Sequence, residues 1–339
     1  MDDEVTPTSR PPTIYDVARA AGVAPSTVSR AFARPGRVNA DTAERIRRVA
    51  AELGYRANPI ARALSTARTR MVAVLVSDLA NPIYAELVRG AQTAAAEAGF
   101  VVLVEDTRES PVTEREAAER VLPAVEGILL ASSRLSDAGI RMLAKQKPVV
   151  VVNRVLPDVP SVVSDNARGT RRAVEHLASL GHESITYVAG PDASWSNGTR
   201  WRAFCDGCHE LSLTARRIGP VDPTFAGGLG AAAQLLDRRT TAVITYNALV
   251  GIGVMRGLQR SGLRVPDQVS VVGFDNVLVA ALVSPPLTTV SAPLEEMGTT
   301  AMRNLIAVVN GARTWDGAPA VLPTRLVVRA SSGARAGTA

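Results

Sequence analysis

The chain has 339 residues, 46% apolar and only 4% aromatic, and its net charge of +6 sits at one end: residues 1–70 hold 12 arginines and no lysine against 7 acidic residues, while the rest holds 26 basic and 25 acidic ones. Its length suits two or three domains with Ala, Val and Leu cores, and the local basic excess suits a polyanionic partner. No apolar run nears the ~18–20 residues that span a bilayer, the start Met1-Asp2-Asp3-Glu4 lacks a signal's apolar centre, and two cysteines are no disulfide framework, so a cytoplasmic protein with no membrane role is expected.

Residues 1–12, with Pro7, Pro11 and Pro12, are predicted to be a disordered tail. Ile14, Val17, Ala18 and Ala21 fall at i, i+3, i+4 and i+7, one face of a short helix. Gly22 supplies a turn that needs its backbone freedom. A second short helix follows, with Val28, Ala31 and Phe32 inward and Pro25, Ser26, Ser29 and Arg30 outward. This pattern predicts a helix-turn-helix whose second helix enters the major groove of double-stranded DNA. Arg30 suits a bidentate contact with guanine, whereas Thr27 and Ser29 suit phosphates. Asn39 is placed to cap a third helix, with Ile46, Val49, Ala50 and Leu53 inward, which Gly54 stops. The segment from Asn58 to Leu64 is too short for a helix that stands alone in water; it needs a partner helix, DNA or both.

From Met71 the period changes. Apolar runs at 71–76, 100–104, 128–131 and 149–152 alternate with helix-like stretches that begin at Asn81-Pro82 and cover 112–122 and 136–144. A second series follows: helix 169–180, strand 185–189, helices 200–212 and 228–237, strand 242–246, helix 248–261 and strand 269–274. Buried strands alternating with amphipathic helices predict parallel sheets with right-handed crossovers. The fold class is α/β, with two doubly wound sheets in tandem forming a bilobed core after an all-α N-terminal domain.

The runs Ile14-Tyr15-Asp16-Val17-Ala18, Ser26-Thr27-Val28-Ser29-Arg30 and Gly36-Arg37-Val38 resemble the start of the LacI/GalR family of bacterial transcription regulators, and Asn58-Pro59-Ile60-Ala61-Arg62-Ala63-Leu64 resembles that family's hinge helix. The likeness continues to about Arg329. It implies a helix-turn-helix domain over 13–57, a hinge helix and linker over 58–70 and a periplasmic-binding-protein-like core over 71–330, with a tail at 331–339. By the same resemblance the chain crosses between lobes near 287–293, a helix at about 294–310 returns to the first lobe, and a last strand at about 321–329 joins the second. The first lobe is then about 71–167 with 292–320, and the second about 168–291 with 321–330. Leu64 stands where the family wedges a leucine into the minor groove, and Pro25 and Ser26 where its base contacts vary most. The DNA-facing set is Thr13, Tyr15, Pro25, Ser26, Thr27, Ser29, Arg30, Asn39, Arg62 and Leu64.

Open α/β sheets bind ligands where the carboxyl ends of strands meet loops. The candidates there give an effector set of Ile83, Tyr84, Asp165, Ser194, Arg200, Asn247 and Asp275. The resemblance places Arg200, Asn247 and Asp275 at positions that hold the effector; where the family usually has Asn-Asp, this chain has Asn247-Ala248. Cys205-Asp206-Gly207-Cys208-His209 matches a haem-attachment pattern but lies in a helix-like run, where two packing residues are the better reading. No catalytic set, metal site or cofactor is expected. The resulting expectation is a homodimeric, non-enzymatic transcription regulator, a repressor, reading a roughly palindromic operator under control of a small effector, a sugar or related polyol. A bilobed solute-binding protein or a cleft enzyme is the alternative.

Overall fold

The computed structural model describes residues 10–33, 36–55, 68–238, 240–312 and 317–335. The predicted hinge at 58–64, with Arg62 and Leu64, lies outside the described residues, as do most of the N-terminal tail and residues 336–339. The chain divides into two units, Met1–Arg70 and Met71–Ala339.

Among the described residues, the first unit has three helices, α1 (Ile14–Ala21), α2 (Pro25–Ala33) and α3 (Ala40–Glu52). Val17, Ala18, Val28, Ala31, Ile46 and Ala50 bury one face of each against the others. Phe32 and Tyr55 close the cluster, their ring centroids 6.0 Å apart. Gly22 ends α1 at φ 65°, in the left-handed region.

The second unit contains two six-stranded sheets. The first takes β1 (Met71–Val76), β2 (Val101–Asp106), β3 (Gly127–Ala131), β4 (Val149–Val152), β5 (Ser161–Ser164) and β11 (Ala320–Leu322), in the order β11-β5-β4-β3-β1-β2. Its connecting helices are α4 (Ile83–Glu97), α5 (Pro111–Val121) and α6 (Asp137–Ala144), joined by α12 (Leu294–Val309) from far along the chain. Side chains alternate across the strands: Val72, Val74, Leu129 and Val150 pack towards α4 and α12, while Ala73, Leu75, Ile128 and Val149 pack towards α5 and α6. With both faces covered, these strands read as continuous apolar runs.

The second sheet takes β6 (Ser184–Val188), β7 (Thr214–Ile218), β8 (Ala242–Thr245), β9 (Ser270–Phe274), β10 (Thr288–Ser291) and β12 (Arg325–Val327), in the order β12-β10-β9-β8-β6-β7. Helices α7 (Asn166–Ser179) and α8 (Trp195–Glu210) share one cluster with it; α9 (Phe225–Asp237) and α10 (Ala248–Arg260) share another. A short α11 (Leu278–Leu282) follows β9.

Several details depart from expectation, among them strands β5, β7 and β10, which the apolar periodicity does not predict. The segment predicted as one second-lobe strand at 321–329 is two strands: β11 pairs with β5 of the first sheet, and after Pro323 and Thr324, β12 pairs antiparallel with β10 of the second. The edge strand β7, reading Thr-Ala-Arg-Arg-Ile, was not predicted, because its mostly exposed side chains leave no apolar run. The described part of the predicted tail, 331–335, is packed. Ser331 is fully buried; its Oγ accepts from Thr288 N at 2.8 Å and donates to the Val271 carbonyl at 2.6 Å.

Candidate functional site

In the first unit, Thr13 caps α1: its N–H and hydroxyl both donate to Asp16 Oδ2, at 2.9 and 2.6 Å. The Thr13 hydroxyl and then its backbone N–H hold the Asp16 carboxyl below its ordinary pKa. Thr13 therefore sets where α1 starts, and Tyr15, 65% exposed, projects one residue later. The outer face of α2 carries Ser26 and Arg30 fully outward, with Pro25, Thr27 and Ser29 half-buried beside them. Arg30 Nη2 donates to Ser26 Oγ at 3.3 Å, which steadies the guanidinium along the helix; among the described residues, its other N–H donors make no hydrogen bond. Asn39 caps α3, accepting from Asp41 N at 3.0 Å. This part of the predicted DNA-facing set thus shares a small unit whose core consists of the residues between them.

In the second unit a cavity of about 20 Å³ lies at the carboxyl ends of strands from both sheets. Ile83, Tyr84, Arg200, Asn247 and Asp275 line it. Arg200 reaches it from the second turn of α8 and is 6% exposed. Its Nε donates to Asn166 Oδ1 at 2.7 Å, Nη1 to the Tyr246 carbonyl, and Nη2 to Asp275 Oδ1 at 3.3 Å. The guanidinium lies 4.0 Å from the Phe274 ring centroid, at cation–π range. Asp275 directly follows β9, and burial raises its carboxyl pKa, an effect the nearby Arg200 opposes.

Two expected residues are used otherwise. Asp165 caps α7, accepting from Arg168 N at 3.0 Å, and Ser194 caps α8, accepting from Asn197 N at 3.2 Å; neither lines the cavity. Asn247 does line it, but its amide is engaged: Oδ1 accepts from Val250 N at 2.8 Å and Nδ2 donates to the Pro223 carbonyl at 2.9 Å. Asp, Ser and Asn serve equally as helix caps and as ligand contacts, so sequence does not separate the two uses.

The sequence reading missed much of the wall. Glu109, Ser132, Asn153 and Tyr246 also line the cavity. Tyr246 seats its ring over Gly190, where a Cβ would come within 2.4 Å of it, and its hydroxyl is 3.0 Å from Ser194 Oγ. Ser196 Oγ donates to the Asn153 carbonyl at 3.2 Å, bonding the second lobe to the first. Glu109, Ser132, Asn153 and Asp275 all sit at positive φ, 58°, 62°, 60° and 84°, although none is glycine. Strained backbone of this kind gathers at functional sites, and here all four residues face one cavity. Glycine would have signalled such a position in the sequence; Glu, Ser, Asn and Asp do not.

The Cys205–Cys208 pair lies within α8, with Cys208 in the second-lobe core beside Phe204 and its thiol pushed up to about 12 by burial. His176 and His182 anchor the C-terminal segment: His176 Nε2 is 2.9 Å from Ser332 Oγ, and His182 bridges Thr241 and Ser270. Among the described residues, no helix is long and apolar enough to cross a membrane.

Comparison with known proteins agrees with this geometry. Residues 13–58 match the family described as bacterial regulatory proteins, lacI family, and residues 174–332 a periplasmic binding protein-like domain. The chain is 33% identical over 330 residues to the HTH-type transcriptional regulator DegA of Bacillus subtilis, covering 94% of this chain and 98% of DegA. It is 32% identical over 328 residues to the HTH-type transcriptional repressor CytR of Escherichia coli, covering 94% and 96%. The solved lac repressor dimer, bound to operator and the anti-inducer ONPF, matches with a TM-score of 0.84 at 29% identity, covering 96% of this chain and 100% of that one. The complex of the transcriptional regulator CelR with cellobiose matches with a TM-score of 0.71 at 32% identity, covering 94% and 99%. Similarity at this level over nearly the full length carries more than the fold: the chain belongs to the lacI family of bacterial regulatory proteins, and it regulates transcription by binding DNA rather than by catalysing a reaction.

Proposed function

We propose that the protein works in the cytoplasm as a homodimeric repressor that holds a roughly palindromic operator and changes its grip when a sugar or related polyol enters the interlobe cleft. The operator contacts come from Thr13, Tyr15, Pro25, Ser26, Thr27, Ser29, Arg30, Asn39 and Arg62, with Leu64 of the hinge in the minor groove. The effector is held by Arg200 and Asp275. The observation that carries the effector reading is this Arg200–Asp275 pair, buried at the carboxyl ends of two doubly wound sheets. A guanidinium with donors to spare and a carboxylate complement vicinal hydroxyls, which both donate and accept.

A cavity of about 20 Å³ holds roughly one water, whereas ligand pockets run to about 300–1,000 Å³. The effector therefore enters a form whose lobes stand further apart, with the Ser196–Asn153 bond broken. The chain passes between lobes in three places, and two are tied together: Asp165 N donates to the Leu322 carbonyl at 2.8 Å, and Thr324 Oγ1 to the Asp165 carbonyl at 2.9 Å. A ligand that binds one lobe arrangement better than the other shifts the population between them.

The test selects bound fragments from the host genome, then titrates a labelled operator duplex with the full chain in the presence of a panel of mono- and disaccharides. The expected result is nanomolar-range operator binding that one saccharide alters. Operator binding indifferent to every saccharide, together with a response to an unrelated metabolite class, overturns the effector reading.

A further inference from the structure

The first lobe brings its own acidic group to the cleft. Glu109 lies in the loop after β2, at φ 58°, with its backbone N–H donating to the Ser77 carbonyl at 2.6 Å. Its Oε2 accepts from Arg134 Nε at 2.6 Å. The Arg134 side chain is 3% exposed, and its Nη1 also donates to the Ser132 carbonyl at 2.8 Å, while the residue's backbone is held separately, its N–H donating to Glu114 Oε2 at 2.8 Å. Glu109 is 22% exposed and lines the cavity. Among the described residues, no hydrogen bond is made by its second oxygen.

We propose that Glu109, braced by Arg134, is a specificity-determining effector residue of the first lobe, and that the two matched ion pairs, Glu109–Arg134 and Asp275–Arg200, restrict the site to an uncharged polyhydroxylated ligand. This rests on the reading of the cleft as an effector site. Each lobe presents one carboxylate, and each carboxylate is neutralised by its own buried guanidinium. A phosphorylated or acidic sugar adds a negative charge to a low-dielectric space in which neither cation is unpaired, and burying an unmatched charge is costly. A neutral ligand instead donates a hydroxyl to the free oxygen of Glu109 while the second lobe holds its other end. The bracing matters because Arg134 leaves the carboxylate little freedom to turn away, so the hydroxyl it accepts must come from a fixed direction.

The experiment uses the full chain, with calorimetric titration against ribose, xylose, glucose and cellobiose, then ribose 5-phosphate, glucose 6-phosphate and glucuronate. Wild type is expected to bind one neutral saccharide and to bind its phosphate or acid at least ~100-fold more weakly. Glu109→Gln leaves the Arg134 guanidinium without its salt-bridge partner, so it should bind the neutral sugar about tenfold more weakly and the anionic analogue more tightly than wild type does. Glu109→Asp keeps the charge and should keep the neutral preference; it also serves if Glu109→Gln fails to fold. A residue that merely supports the loop would weaken both ligand types together. Wild-type preference for the phosphate or the acid, unchanged binding of both ligand types by Glu109→Gln, or an anionic preference in Glu109→Asp overturns the proposal while leaving the effector reading standing. Binding of none of these compounds overturns both.

Discussion

Arg200 Nη2 and Asp275 Oδ1 meet at 3.3 Å, with both side chains less than a tenth exposed, from positions 75 residues apart in sequence. The pair is unequal. Arg200 also has Asn166, the Tyr246 carbonyl and the Phe274 ring as partners, whereas among the described residues the Asp275 side chain has Arg200 alone.

That inequality predicts asymmetric mutants. Arg200→Ala strands a buried carboxylate and should cost about 3–5 kcal/mol; Asp275→Asn leaves Arg200 well partnered and should cost about 1 kcal/mol. Asp275→Asn is therefore the cleaner probe of effector response. Because the folded pKa of Asp275 is raised, the folded state binds the proton more tightly than the unfolded chain. Asp275 therefore costs nothing below the ordinary Asp range, and its cost grows as pH rises through the interval up to the folded value. The stability of Asp275→Asn relative to wild type should accordingly improve with rising pH there. Urea melts across that range check it; a difference that is flat or of opposite slope contradicts the assignment.

The first lobe depends on two glycines where α4 crosses α12. A Cβ on Gly90 would lie 1.9 Å from the Glu295 carbonyl oxygen, and one on Gly298 would lie 1.9 Å from the Leu87 carbonyl oxygen. Both obstacles are backbone, so the helices must move apart. Gly90→Ala and Gly298→Ala should each cost about 1–3 kcal/mol or more, despite the gain in helix propensity. Thermal melts that show no loss would mean the crossing is looser than described.

Arg30→Ala should weaken operator binding by about 1–3 kcal/mol and relax preference at one base pair per half-site. Arg30→Lys should recover little, since an ammonium cannot make the bidentate contact. Binding should also fall with log salt by ~0.9 per phosphate neutralised. Competition assays with single-base operator variants distinguish the roles: a uniform loss across all variants would make Arg30 a phosphate contact.

The C-terminal segment should matter for stability. Ser331→Ala removes one buried hydroxyl that satisfies two backbone groups, at a cost of about 1–3 kcal/mol. His182 sits beside Thr241, Ser270 and the Gly333 carbonyl, and burial lowers its pKa. A histidine lowered on folding contributes stability above its unfolded pKa and loses it as pH falls towards the folded value. Acid melts should therefore be steeper for wild type than for His182→Asn, and equal slopes would remove the histidine from the account.

The sequence by itself determined the helix-turn-helix, because its signals are local: a 3.6-residue period from Ile14 to Ala21 runs directly into the glycine turn at Gly22. It also determined the α/β alternation, since parallel strands covered on both faces must be apolar throughout, as Met71–Val76 and Val149–Val152 are. Arg200 and Asp275 were legible through family resemblance and strand ends. Tertiary structure decided the rest. Whether Asp165, Ser194 or Asn247 faces a ligand or caps a helix depends on which free backbone N–H lies nearest, and residue type does not encode that. Glu109, Ser132 and Asn153 come from the ends of three separate strands, and only the parallel stacking of β2, β3 and β4 in one sheet brings them to one wall. The break at Pro323 that sends β11 and β12 into different sheets is likewise set by which sheet edges remain unpaired when the chain returns, a non-local fact that no short window of residues contains.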